Sequence, residues 1–199
     1  MHNFELILIS NETFSEGDIP FIKWALANGL NRFHLRKKSS TQEEINNLLL
    51  LLTEAEQRST SVHYHHKLQE SLRTKVGLHH SLNFYQDAPS SEQLDPPISS
   101  FSIHQWSEID QLPSSCNYHF ISPIFPSISK AGYHNPSLRD NGIPNEYKSK
   151  KNIALGGVLP HHIAELKTSG FSGAAVLGAI WNSPAKQKVL EEFFNACHK

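Results

Sequence analysis

Short apolar segments, each followed by a polar or helix-patterned stretch, recur along the whole chain, and this alternation restricts the fold more than any other feature of the sequence. Eight segments read as strands: Phe4–Ile9, Phe33–Lys38, Ser61–His65, Val76–His79, Ser100–His104, Tyr118–Ile121, Asn152–Leu155 and Ala174–Leu177. Strand, helix, strand order demands parallel pairing, because a parallel partner can only be reached through a crossover. Spread over 199 residues, eight units have about 25 residues each, at the lower edge of what a (β/α)₈ barrel needs. The expected fold is α/β, a single TIM barrel domain over residues 1–199, compact and with shortened middle units. An open doubly wound sheet is the alternative, but no G-x-G-x-x-G follows the first strand as a dinucleotide fold requires.

Helical signals fill the intervals. Ile22, Ala25 and Leu26 share a face that stops near Asn28-Gly29. Thr41 with Glu44 forms a capping box ahead of Ile45, Leu48, Leu49 and Leu52, which predicts a helix over Thr41–Gln57. Lys67–Arg73 and Trp106–Leu112 read as short helices, and the Ser- and Pro-rich Asp87–Pro97 leaves room for little more than a turn. A helix follows over Pro160–Ser169. Ser183-Pro184 then supplies a cap residue and a first-turn proline for a last helix, whose apolar series is Leu190, Phe193, Phe194 and Cys197. Between them, residues 122–145 are rich in Pro, Ser, Gly and Asn, and so long a loop in a compact domain is usually functional.

A net charge of -1 lacks the basic excess that neutralises a nucleic-acid backbone, so no nucleic-acid partner is expected. No basic leader precedes an apolar run and none of the runs is long enough to span a bilayer, so a soluble, cytoplasmic protein with no membrane partner is expected. Cys116 and Cys197 are too few for a disulfide scaffold and read as reduced thiols, Cys197 as part of a packed helix face. The 13 histidines are the compositional oddity.

In a barrel the chemistry sits at the C-terminal ends of the strands. The second strand ends His34-Leu35-Arg36-Lys37-Lys38, where alternation places His34, Arg36 and Lys38 on one face, suited to an anionic substrate or simply a solvated strand end. The fifth ends at His104; taken alone, such a histidine is more often structural than catalytic. After the sixth, Ser127, Ser129 and Lys130 offer two hydroxyls and an ammonium on a proline-stiffened loop that suits phosphate oxygens, or is ordinary surface. Gly156-Gly157 after the seventh strand and Leu177-Gly178 after the eighth occupy the places where such barrels build phosphate sites, although glycines also serve tight turns. The cluster His63, His65, His66, His79 and His80 invites a metal, but alternation splits His63 and His65 from His66 and no carboxylate or thiol completes a set, so no metal site is expected.

Taken together, these segments resemble the thiamine-phosphate synthase and TenI family of barrels over nearly the whole chain. Phe33–Lys38 resembles its Q/H-x-R-x-K/R strand, Ser102-Ile103-His104 with Glu108 its S-x-H segment, and Phe120–Lys130 its G-P-I-F-P-T-x-T-K segment with Ser122, Ser127 and Ser129 substituted. Ala154–Val158 and Ala174–Ile180 resemble its last two glycine motifs. The family's synthases join a pyrimidine diphosphate to a thiazole phosphate with Mg²⁺ held by two aspartates; here Tyr64-His65 and Gly77–Phe84 occupy those places without a carboxylate. The TenI branch isomerises a thiazole carboxylate phosphate to its aromatic tautomer without a metal. The resemblance implies that His104 moves the proton, with Lys130 as a second catalytic group. It further implies that His34, Arg36, Lys38, Ser127 and Ser129 bind substrate, and that Gly156, Gly157, Leu177 and Gly178 hold the phosphate. A thiazole tautomerase without cofactor is the leading reading. A divergent Mg²⁺-dependent thiamine-phosphate synthase and a non-catalytic binder of thiazole or thiamine phosphate are the alternatives, and a homodimer is the expected assembly.

Overall fold

The computed structural model describes residues 4–13, 15–63, 68–83, 98–126 and 136–199. Its strands are β1 (Glu5–Ile9), β2 (Arg32–Leu35), β3 (Thr60–His63), β4 (Gly77–Ser81), β5 (Ser99–Ile103), β6 (Cys116–Ile121), β7 (Asn152–Leu155) and β8 (Gly173–Val176). They pair in chain order as one closed barrel. All neighbours are parallel, and β8 closes on β1 with Ile7 level with Ala175. This is the (β/α)₈ barrel that the alternation demanded.

Period-2 alternation divides each strand between two cores. Leu6, Leu8, Phe33, Leu35, Val62, Leu78, Ile103, Ile121, Ala154, Ala174 and Val176 join the larger cluster between barrel and helices. Ile7, Ile9, Tyr118, Phe120, Ile153 and Ala175 form a second cluster in the lumen. The rest of the lumen is not apolar: His34, Ser61, His63, His79 and Ser100 are buried on β2 to β5. The barrel is therefore greasy along β1 and β6 to β8 and polar on the opposite wall.

The outer layer comprises α1 (Asp18–Ala27), α2 (Gln42–Leu50), α3 (Glu54–Arg58), α4 (Glu70–Arg73), α5 (Pro136–Asp140), α6 (Ile163–Thr168), α7 (Gly178–Trp181) and α8 (Lys186–His198), with 3₁₀ turns at Trp106–Gln111, Asn145–Tyr147 and Pro160–His162. The Thr41 capping box forms as its spacing requires. The helix predicted over Thr41–Gln57 is nevertheless two helices. Thr53 and Glu56 make a second capping box, so the Thr53 side chain takes the backbone N–H of Glu56 and starts a new helix instead of continuing the old one. The last helix also differs: it begins at Lys186, and the Ser183 hydroxyl accepts from the backbone of Ala185 rather than capping the helix. Leu190, Phe193 and Phe194 are buried as the series predicts, and Cys197 packs at the edge of the core. Asp18, nearly buried, pairs with Lys186 at 2.7 Å and ties α1 to α8. Among the described residues no helix is long and apolar enough to cross a membrane. The Ser- and Pro-rich stretch Asp87–Pro97 lies outside the described residues.

Candidate active site

The C-terminal ends of the strands carry most of the residues singled out by sequence. His104 follows the last residue of β5 and is exposed. Its Nδ1 lies 2.9 Å from the carbonyl oxygen of Ser122. A carbonyl can only accept, so Nδ1 carries the proton, and in the neutral ring Nε2 keeps its lone pair. The backbone N–H of His104 donates to the Glu108 carboxylate at 2.9 Å, which fixes the turn that presents the ring. An imidazole held in one tautomer with its basic nitrogen outward can take a proton and return it.

The basic end of β2 divides into three environments. His34 is fully buried in the lumen. Arg36 is half-exposed and lies 3.6 Å from Glu12. Lys38 has an exposed side chain, and its backbone N–H donates to the Glu12 carboxylate at 2.8 Å. Lys37, between them, is buried and donates its ammonium to the Glu12 carbonyl at 2.7 Å. Glu12 thus organises this rim through backbone, side chain and charge together. Ser127, Ser129 and Lys130 lie outside the described residues.

Gly156 and Gly157 have φ of 95° and 62°, a left-handed backbone that favours glycine. Room matters as much as φ. A Cβ on Gly157 would collide with the Pro126 carbonyl and come within 2.9 Å of Phe125, and one on Gly156 would lie 3.0 Å from Pro123. Backbone bonds from Ile124 to Leu155 at 2.9 Å and from Phe125 to Gly156 at 3.1 Å bind the two loops together. Close approach of the β6 and β7 loops therefore accounts for both glycines. Leu177 and Gly178 begin α7, which the Trp181 indole anchors by donating to the Ile9 carbonyl at 2.7 Å.

Below the mouth lies an arrangement that strand-by-strand reading missed. His34 Nδ1 is 3.0 Å from His63 Nε2, and His34 Nε2 is 2.7 Å from the Tyr118 hydroxyl. Since β2 and β6 are not neighbours in the barrel, the second bond crosses the lumen. Ser61 Oγ lies 3.2 Å from the same hydroxyl. His79 places one ring nitrogen 2.9 Å from Ser100 Oγ and the other 2.8 Å from Ser102 Oγ. The rings of His63 and His79 are 4.1 Å apart, and that of His34 is 5.2 and 5.1 Å from them. Burial, with smaller contributions from His79 and Arg32, holds the His34 imidazole well below its ordinary pKa and hence neutral. The available signal was the alternation of Ser61 with His63, Ser100 with Ser102, and Tyr118 with Phe120. Both members of each pair point inward, but alternation does not say which residues of neighbouring strands are level.

The remaining histidines of β4 and β6 face outward. His80 stacks on Phe101 and burial pushes it down to about 4. His119 sits on Asn152 and is likewise pushed down to about 4, chiefly by burial against a partly compensating hydrogen bond. Burial raises both thiols, Cys116 and Cys197, to about 11, which makes them poor nucleophiles. His65 and His66 lie outside the described residues. Mg²⁺ needs oxygen donors, and among the described residues the one group of three metal-ligating side chains is all imidazole, which does not fit that ion.

Comparison with known proteins places this barrel among others. No family model matches the chain. It is 31% identical over 103 residues to a thiamine-phosphate synthase of Listeria innocua; the match takes in 47% of this chain and 46% of the relative, so the chain spans about half the length of that relative. The crystal structure of thiamine phosphate pyrophosphorylase from Bacteroides thetaiotaomicron superposes with a TM-score of 0.74 at 28% identity, covering 97% of this chain and 95% of that one. Thiamine phosphate pyrophosphorylase from Pyrococcus furiosus shares the fold, with a TM-score of 0.71 at 18% identity over 99% of this chain and 96% of that one.

Proposed function

We propose, for a barrel whose motifs resemble the thiamine-phosphate synthase and TenI family and whose sequence and fold are similar to thiamine-phosphate synthases, an enzyme of thiamin biosynthesis that isomerises a thiazole carboxylate phosphate to its aromatic tautomer. The observation that carries this reading is the His104 ring, whose Nδ1–H is committed to the Ser122 carbonyl at 2.9 Å. Its outward Nε2 takes a proton from one carbon of the non-aromatic ring and returns one to another. No group leaves, so no metal is needed to neutralise a departing anion. Glu108 acts as a positioning residue through the His104 backbone. Arg36 and Lys38 at the rim provide cationic charge for carboxylate or phosphate, Lys130 with Ser127 and Ser129 adds to that grip, and the amides of Gly156, Gly157, Leu177 and Gly178 complete the phosphate cradle. His34, which the resemblance offers as substrate-binding, is fully buried, with both ring nitrogens engaged by His63 and Tyr118, and adds nothing to the rim.

The names of the relatives favour a second reading, condensation of a pyrimidine diphosphate with a thiazole phosphate. The all-imidazole lumen weighs against it, because the departing diphosphate would lack its usual hard cation. Incubating the protein with the non-aromatic thiazole carboxylate phosphate in D₂O and following aromatisation tests the choice. His104→Gln should lower the rate by roughly 10²–10⁴-fold. Unchanged turnover in that variant, or binding without turnover in the parent, overturns the reading, and thiamine phosphate formed from the two synthase substrates replaces it with the second.

A further inference from the structure

The polar wall of the lumen converges on one point. One ring nitrogen from each of His34, His63 and His79 lies within 4.8 Å of the others, on three adjacent strands. We propose that these three histidines form a binding site for one late first-row divalent transition ion, of the Zn²⁺ or Co²⁺ class.

Geometry, outer partners and donor chemistry each support it. Zn–N bonds of about 2.0–2.1 Å in a tetrahedron set ligand nitrogens about 3.3 Å apart. The His34 Nδ1 and His63 Nε2 pair, 3.0 Å apart, is already close to that edge. Bringing in the third nitrogen needs side-chain shifts of less than about 1 Å per ligand on the same bond lengths. A metal-bound imidazole needs a partner on its other nitrogen to fix tautomer and ring orientation. With Nδ1 of His34 on the ion, its Nε2 stays on the Tyr118 hydroxyl at 2.7 Å. Whichever nitrogen His79 uses, the other stays on a serine hydroxyl, Ser100 at 2.9 Å or Ser102 at 2.8 Å. Neutral imidazole donors without a carboxylate suit zinc, cobalt, nickel and copper rather than magnesium or calcium.

His63, the last residue of β3, sets the site near the C-terminal end of the barrel. Three protein ligands leave the fourth position of a tetrahedral ion to water or an anion. The site does not depend on the tautomerase reading, whose proton shift runs through His104.

Chelator-stripped full-length protein is titrated with Co²⁺, read by its visible absorption, and with Zn²⁺ in competition with a chromophoric chelator. The expected result is one ion per chain with a tetrahedral cobalt spectrum. His63→Ala and His79→Asn should each weaken binding at least ~100-fold, while His80→Asn and His119→Gln, which face outward, leave it unchanged. Failure to bind an ion stoichiometrically, or binding that survives both lumen variants, overturns the proposal. Should either lumen variant fail to fold, X-ray absorption of the wild-type Zn²⁺ form decides: three imidazole ligands are expected, and two or fewer overturn it. Neither result alters the His104 assay.

Discussion

His119 offers a measurement of how strongly this barrel resists acid. Its Nε2 lies 2.7 Å from Asn152 Oδ1. The orientation of that amide is fixed, because Asn152 Nδ2 donates to the Tyr147 and Lys150 carbonyls, both at 2.9 Å. The oxygen therefore faces His119 and the imidazole donates to it. Protonation would preserve that bond but leave a charge on a residue that is 2% exposed, and burial dominates, holding the pKa at about 4. In the unfolded chain the same group titrates near 6.5. A depressed folded pKa means that the unfolded state binds more protons between these values, so stability is complete above pH ~6.5 and is lost as pH falls toward ~4. At 1.36 kcal/mol per pH unit the loss is roughly 3 kcal/mol for this one residue, a large part of a typical 5–15 kcal/mol total. His119→Gln keeps a donor for Asn152 and removes the titration. Urea denaturation of parent and variant from pH 7 to pH 4 should show the variant losing roughly 3 kcal/mol less than the parent. Parallel pH profiles would refute the reasoning.

Other outcomes follow from the same geometry. Gly157→Ala should cost at least ~3 kcal/mol in chemical denaturation, since left-handed φ and collision with the Pro126 backbone act together; Gly142→Ala, at φ 63° with open space around it, should cost only ~1 kcal/mol. Asp18 has a pKa below the usual carboxylate value because hydrogen bonds from Lys186 and Ser15 outweigh the opposing effect of burial. Its contribution is accordingly present above the ordinary carboxylate pKa and lost as pH falls below it, so Asp18→Asn should destabilise by about 2 kcal/mol at pH 7 in urea denaturation, with the gap to the parent narrowing as the solution is acidified. Tyr118→Phe removes the hydroxyl shared by His34 and Ser61 and should lower the melting free energy by about 1–3 kcal/mol.

Local rules carried far along this chain wherever a signal and its effect are near in sequence. The strand Asn152–Leu155 emerges with the bounds its apolar run implies, and Thr41 and Glu44 cap the helix their spacing predicts. The same rules failed where two local signals compete. A continuous apolar face argues for one helix from Thr41 to Gln57, but the capping box of Thr53 and Glu56 wins because it satisfies backbone donors at the start of α3 while Leu50 and Leu51 turn out to solvent. Alternation puts Lys37 on the face of Phe33 and Leu35, and only the fold shows its ammonium donating to the Glu12 carbonyl.

By itself the sequence determined that eight short strands alternate with helices, that His104 stands at a strand end, and that Gly156-Gly157 and Gly178 follow the last two strands. Tertiary structure alone decided the lumen. Alternation assigns His34, His63 and His79 to inner faces one strand at a time, but which residues of neighbouring strands are level depends on the stagger that closes the barrel, a property of all the strands together. That stagger sets His34 level with Ser61 and His63 level with His79, and so turns histidines scattered through the sequence into one convergent cluster.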